Sequence, residues 1–401
     1  MNLLLSSYSF GAGRGSEAGV GWNVARGMAL RGHQVTVITT REFSASNREA
    51  IKNEKLPIKL IEEDCGIPFY PSSQSYRSWQ RRIGRIIHRE LATGHYHLIH
   101  HVTFNQYRDI HDVFAANIPY LIGPVGGAEL VPRPLLRYGD LPLRMKLKEM
   151  LRYCGADALP LRHRCRRHRQ PGLILASNHP TAERLKNLST NIEICPAIAI
   201  HSHEIIETPS PDSAADSFIL FDGGLARPQK GTWLAMRALA RLWQMKCRLP
   251  LRMVGIAAQD AEKIRHYAGS LQLPAEALIL EAQVSRDKML RYMRNAAVML
   301  STVYRDSGSM AQLEALAQGC RIVSLDIPSQ QWLPSHYCHK VAVQPTTEAM
   351  EQALAEALQQ EALAQPHTDE WYAERSTWLH QHMTWETRLN TLETYYRQLL
   401  A

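Results

Sequence analysis

The sequence predicts two doubly wound α/β domains in tandem, on three observations. Short aliphatic or β-branched runs alternate with amphipathic helical stretches almost throughout, the pattern of βαβ units on a parallel sheet. That pattern stops at residues 207–216, where proline, serine and small polar residues lack periodicity, and then restarts. The length of 401 residues also exceeds one ordinary core, given roughly 100–200 residues per domain.

Taken in order, residues 2–8 read as a strand. Residues 17–30 read as a helix with Val20, Val24 and Met28 on one stripe and Gly32 as its terminator, and 34–40 as the next strand. Further strands are expected at 97–103, 120–125, 173–177 and 193–198. Between 139 and 170 the rhythm breaks into a basic, helix-prone insertion. After the break come strand 218–222, helix 232–245, strands 251–255 and 278–284, helix 286–295, strand 297–304, helix 309–318 and strand 321–326. Two such units imply two sheets facing across a cleft at their carboxyl edges, where ligands of such sheets sit. Residues 385–400 carry Leu389, Leu392, Tyr396 and Leu399 at helical spacing and read as a packing helix. The expected division is 1–206, 207–375, and a C-terminal helical segment, 376–401, returning to the first domain.

Composition narrows the class. With 45% hydrophobic and 21% charged residues, the chain has the balance of a globular protein and not of a disordered one. No apolar run approaches the ~20 residues needed to span a bilayer. The first five residues lack a basic region and are too few for a signal peptide. Seven cysteines without any Cys-x-x-Cys pair read as reduced thiols, hence a cytoplasmic protein with no zinc site. The formal charge of +8 is concentrated: residues 133–169 hold eleven Lys/Arg against three Asp/Glu. Such a block is a solvated helix face, a surface for an anionic membrane, or a nucleic-acid contact, and the last has no motif to support it.

Two segments carry chemistry. In Asp306-Ser307-Gly308-Ser309-Met310-Ala311-Gln312-Leu313-Glu314, Ser309 and Gln312 match a capping box, so a helix should begin at Ser309 and end at Gly319. The turn Ser307-Gly308-Ser309 leaves backbone amides free at the positive end of that helix, which suits a phosphate, an attraction of roughly 0.3–1 kcal/mol per charge when exposed. The bland alternative is that Asp306 merely counters the dipole and Glu314 is solvated. In Phe221-Asp222-Gly223-Gly224-Leu225-Ala226-Arg227-Pro228-Gln229-Lys230-Gly231, a strand ends in two glycines and a short loop delivers Lys230 to the next helix. A charge-assisted contact from such a lysine to phosphate is worth roughly 1.5–3 kcal/mol. A surface turn with a solvated lysine is the alternative.

Together these segments resemble the GT-B glycosyltransferases, most closely retaining family 4. That family has Gly-Arg-Leu, a few residues and Lys-Gly, then an E-x7-E motif continuing as E-A-[LM]-A-x-G. Here the latter stands as Asp306-x7-Glu314-Ala315-Leu316-Ala317-Gln318-Gly319. The N-terminal half is similar in its glycine-rich loop and in Ala25-Arg26-Gly27-Met28-Ala29-Leu30-Arg31-Gly32-His33. The resemblance implies two Rossmann-like domains and transfer from a nucleotide-sugar to a glycan or lipid-linked acceptor in bacterial polysaccharide synthesis. It implies that Lys230 binds the donor diphosphate, Glu314 the ribose hydroxyls, and Asp306 the donor sugar, with Gly308, Ser309 and Met310 lining the site. Gly13 and Gly15 would bring the N-terminal loop to the diphosphate.

Three departures stand out. Gly224 occupies the family's arginine position, leaving Arg227 as the nearest substitute. An aspartate, Asp306, replaces the first glutamate. Where the family often has a histidine, this chain reads Gly123-Pro124-Val125-Gly126-Gly127-Ala128-Glu129. Glu129 is therefore an acceptor-side candidate, with His101 beside it at the end of an earlier strand; structural roles for His100 and His101 are the alternative. The chain contains no Asp-x-Asp, so neither a metal nor any cofactor is expected. The basic segment 133–169, with Leu143, Leu147 and Leu151 on one helical face, is the candidate for peripheral attachment to the inner face of the membrane. Rival readings are a non-catalytic sugar-nucleotide-binding partner, a sugar-nucleotide epimerase, or a dehydrogenase. The last rests only on Gly13-x-Gly15-x-x-Ala18 and Arg41 and leaves Lys230, Asp306 and Glu314 without purpose.

Overall fold

Buried aliphatic runs become parallel strands and the stretches between them become helices, twice over. The computed structural model describes residues 1–64, 73–104, 106–138, 140–154, 159–188, 190–208, 217–225 and 227–401. The chain starts β1 (Asn2–Ser7), α1 (Ser16–Leu30), β2 (Gln34–Thr39), α2 (Ser44–Asn53), β3 (Ile58–Glu62), α3 (Ser73–Thr93), β4 (Leu98–Thr103) and β5 (Tyr120–Val125). Three helices follow, α4 (Arg133–Tyr138), α5 (Leu143–Tyr153) and α6 (Leu159–Arg167). Then come β6 (Gly172–Ala176), α7 (His179–Leu185) and β7 (Asn191–Ile194).

The pattern resumes with β8 (Ile219–Phe221), α8 (Thr232–Gln244), β9 (Leu251–Val254), α9 (Ala258–Ser270), β10 (Leu278–Glu281) and α10 (Arg286–Asn295). It continues through β11 (Val298–Ser301), α11 (Met310–Ala317), β12 (Ile322–Asp326) and β13 (His339–Ala342). Three helices close the chain: α12 (Thr347–Leu363), α13 (Asp369–His382) and α14 (Trp385–Leu400). β3 and β13 are edge strands whose polar residues leave no apolar run long enough to predict them.

Two units emerge from the contacts. The first comprises Met1–Glu129, Leu151–Ala199 and Trp385–Ala401. Its seven strands lie in the order β3-β2-β1-β4-β5-β6-β7, all neighbours parallel. Leu3 and Leu5 enter one core and Leu4 the other, because successive strand residues face opposite sides and helices cover both. The final helix packs as its spacing predicts: Leu389, Leu392 and Tyr396 join the core that holds Leu3 and Leu5. Gly27 of α1 makes room for it, since a Cβ there would lie 2.2 Å from Leu389.

The second unit comprises Leu130–Met150 and Ile200–Thr384, with strand order β10-β9-β8-β11-β12-β13, again parallel. The structure thus differs from the sequence division in three places, since residues 130–150, 200–206 and 376–384 all belong to this unit. Residues 130–150, read from the sequence as part of the first domain, bury Val131, Leu135 and Leu141 in this unit's core. Asp140 and Glu149 of the same segment pair with Arg237 and Arg305 at 3.1 and 3.2 Å. The chain also joins this unit at Ile200, which bridges to Thr384, ahead of the expected boundary. Of the expected linker, residues 209–216 lie outside the described residues.

One buried polar link is testable. Tyr396 Oη lies 2.6 Å from His100 Nδ1, whose other nitrogen lies 2.6 Å from the Gly123 carbonyl oxygen. Burial pushes the His100 pKa down to about 3, so the ring is a neutral strut. Tyr396→Phe keeps the ring and strands His100 Nδ1, which should cost the first unit about 1–3 kcal/mol in urea unfolding.

Candidate functional site

In the second sheet β8 and β11 are neighbours, although β9 and β10 come between them in sequence. Connections leaving their carboxyl ends therefore diverge, which makes this the topological switch point where such sheets bind ligands. The two segments singled out by sequence are the loops that leave these two strands.

The loop after β8 is bolted down by local hydrogen bonds. Asp222 N donates to Leu300 O at 3.1 Å, and Thr232 Oγ1 donates to Gly224 O at 3.0 Å. Residues Pro228–Lys230 form a single tight turn closed by Gly231 in the left-handed region, φ +70°. A side chain there would be strained, and its Cβ would lie 2.5 Å from Thr302 O. Thr302 Oγ1 in turn donates to Lys230 O at 2.8 Å. Lys230 is thereby aimed inward, its Nζ donating to Asp222 Oδ2 at 2.9 Å and lying 3.9 Å from Asp306 Oδ2. Arg227 is exposed and, among the described residues, forms no ion pair.

The loop after β11 supplies the facing wall. Asp306 N donates to Ser329 Oγ at 3.3 Å, and Ser307 N donates to Asp306 Oδ1 at 2.8 Å. Gly308 adopts φ +142°, a conformation that suits glycine. Ser309 caps α11, accepting from Gln312 N at 3.3 Å, so the helix proper begins one residue later, at Met310. The expected capping box is half formed: the buried Gln312 side chain makes no return bond and has no partner among the described residues. Ser309 Oγ also donates to Asp222 Oδ2 at 3.1 Å. Lys230, Ser309 and the loop carrying Asp306 thus converge on Asp222.

Asp222 is the residue the sequence argument passed over. Its signal was present, a charged side chain at the carboxyl end of a buried strand. Glu314 sits further along α11 and is not free: Arg286 Nη1 pairs with it, and Arg286 Nη2 lies 2.6 Å from Glu204. Burial pushes the Glu314 carboxyl above its usual range, and the Arg286 guanidinium opposes the shift.

The remaining candidates belong to the first unit. Gly13 (φ +67°) and Gly15 are exposed in the loop before α1, which Asn47 braces by bonding Phe10 O and Ala12 N at 2.8 Å each. His101 is buried, its Nδ1 3.0 Å from Asp112 and its Nε2 2.9 Å from Tyr76 Oη. Glu129 is buried too. Its Oε1 accepts from Gly127 N, Asn178 Nδ2 and Thr181 Oγ1 at 2.8–3.2 Å, tying the loop after β5 to the start of α7.

Comparison with known proteins bears on this geometry. Residues 206–373 match the family model described as "Glycosyl transferases group 1". No curated protein sequence matches the chain significantly. Among solved structures, WaaG, a glycosyltransferase involved in lipopolysaccharide biosynthesis, is similar at TM-score 0.64 and 14% identity, over 97% of this chain and 98% of that one. Sucrose-phosphate synthase from Thermosynechococcus elongatus is similar at 0.66 and 14%, over 99% and 98%. Anabaena Alr3699/HepE in complex with UDP and glucose is similar at 0.62 and 12%, over 99% and 100%. At these identities the likeness is one of fold, two Rossmann-like domains in the GT-B arrangement of elements.

The charge at the switch point gives a direct test. Lys230 is shared between two carboxylates, so an anion must compete with Asp222 for it. Asp222→Asn should tighten pyrophosphate binding by about tenfold or more, measured by calorimetry.

Proposed function

We propose that this chain is a glycosyl transferase of GT-B fold that moves a sugar from a nucleotide-sugar donor, with retention of configuration, to a glycan or lipid-linked acceptor. The observation that carries this reading is the convergence of Lys230 and the start of α11 on one carboxylate at the switch point of the second sheet.

In this reading Lys230 leaves Asp222 to grip the donor diphosphate, joined by the amides of Gly308, Ser309 and Met310 at the positive end of α11. Arg227, exposed three residues upstream of Lys230, supplies the charge that Gly224 lacks. Asp306, its carboxylate steadied by Ser307 N, faces the donor sugar, and Glu314 accepts from the ribose hydroxyls. As the bond from the sugar's anomeric carbon to phosphate breaks, a bond to the acceptor oxygen forms on the same face. The acceptor proton passes to a phosphate oxygen. The protein's task is then to stabilise charge on the leaving diphosphate, which needs no general base. Lys230→Ala should lower turnover by roughly 10²-fold or more while the protein stays folded. Turnover near wild type in that variant removes the role.

A second reading, a non-catalytic nucleotide-sugar-binding partner, is favoured by Gly224 and by the two carboxylates that share Lys230. Nucleotide binding without donor hydrolysis or transfer, across a panel of UDP-, GDP- and dTDP-sugars, would support it.

For the acceptor we place the protein at the inner face of the cell membrane, in surface polysaccharide synthesis; the similar WaaG is involved in lipopolysaccharide biosynthesis. No described helix is long and apolar enough to cross a membrane. On α5, however, Leu143, Leu147 and Leu151 are 72%, 53% and 67% exposed, flanked by Arg144, Lys146, Lys148 and Arg152. The other face of α5 is anchored by the buried Glu149. Each basic residue near an anionic leaflet contributes on the order of 1 kcal/mol. The protein should float with vesicles containing phosphatidylglycerol at low salt and not with phosphatidylcholine alone. Leu147→Ser with Leu151→Ser should abolish flotation without loss of fold.

A further inference from the structure

Arg286 stands in an unexpected place. It is the first residue of α10, directly after the cap Ser285, whose Oγ accepts from Lys288 N. The start of a helix favours anions, so a cation there must be held by something else. Two carboxylates hold it: Nη1 bonds Glu314 Oε1, and Nη2 bonds Glu204 Oε1 at 2.6 Å. Both glutamates are largely buried, with side chains 12% and 13% exposed, whereas Arg286 is 45% exposed.

Glu204 is itself fixed. Its Oε2 accepts from His201 N at 3.0 Å, and its carbonyl accepts from Gln318 Nε2 at 2.7 Å. Two residues on, Ile206 N donates to Ala317 O at 3.1 Å, and the buried Arg375 bonds Ile206 O. The turn before β8, the start of α10 and the middle of α11 are therefore joined through one guanidinium.

We propose that Arg286 is a positioning residue for donor binding. It occupies one oxygen of Glu314 and leaves the other oriented to accept from the vicinal ribose hydroxyls, while Glu204 holds Arg286 in that pose. The inference rests on the assignment of Glu314 to the ribose. Its physical basis is that a planar guanidinium sets the direction of a carboxylate that a point charge would not. Keeping Glu314 ionised beside Asp222 and Glu204 also matters, because a hydrogen bond to an ionised acceptor is roughly twice as strong as one to a neutral acceptor.

The test compares ribonucleotides with their 2′-deoxy counterparts on the full-length protein. Calorimetry with UDP, GDP and ADP, each against its 2′-deoxy form, identifies the pair that binds. Wild type should prefer the ribonucleotide by about tenfold. Glu314→Ala should abolish the preference, and Arg286→Met should cut it to within about twofold. Glu204→Gln should weaken it in part. Arg286→Lys should be intermediate, since one ammonium cannot bridge both carboxylates in the same plane. In turnover, Arg286→Met should raise the donor KM and leave kcat unchanged. A purely structural role would weaken ribo- and deoxynucleotide binding alike.

A preference that survives Arg286→Met but not Glu314→Ala overturns the positioning role and leaves Glu314 in place. No preference in wild type, or one that survives Glu314→Ala, defeats the ribose assignment and this inference with it. Should Arg286→Met fail to fold, Glu204→Gln decides: unchanged preference in that variant rejects the proposal.

Discussion

Asp222 Oδ2 accepts from Lys230 Nζ and from Ser309 Oγ, and the carboxyl edge of the second sheet is organised around that one atom. It joins the loop after β8 to the start of α11 and neutralises a lysine that is only 16% exposed. A partly buried ammonium without a counter-charge would carry a large desolvation penalty, so an opposite charge, here Asp222 with Asp306 nearby, is needed to hold Lys230 inward. The far end of α11 is held as firmly. The buried guanidinium of Arg375 donates to the carbonyls of Leu316 and Ala317, at the negative end of the helix, where a cation is favoured. Fixed at both ends, α11 presents its first amides with little freedom.

The same arrangement bears on how this chain departs from the glycosyltransferase pattern that it resembles. Gly224 leaves the loop without the usual arginine, and Asp222 takes part of the charge of Lys230. In the proposed reading, the helix amides and the displacement of Asp222 carry more of the task of receiving an anion than in the family pattern. Arg286 acts from a different direction, on Glu314 and not on the loop that carries Lys230.

Chain order and structural membership do not coincide. Residues 130–150 lie between β5 and β6 of the first sheet, yet their apolar side chains enter the core of the second unit. Residues 385–401 come last and pack in the first unit, where Tyr396 meets His100 from 296 positions away. A single boundary near 206 describes the sheets well and the helices poorly.

What could be read from the amino acids alone was whatever is encoded by neighbours. Alternating aliphatic strands and amphipathic helices announced two parallel sheets. The Ser309 cap was legible because its hydrogen bond spans three residues. The final helix was legible because 3.6-residue spacing records a buried face. Only the fold decided that Ser309 meets Asp222 across 87 residues, that Arg286 meets Glu314 across 28, and that Glu149 secures α5 to Arg305. Such pairs leave no period and no motif in the chain. They exist because parallel strands bring separate loops to one edge, and charge then settles where an opposite charge has been carried by packing.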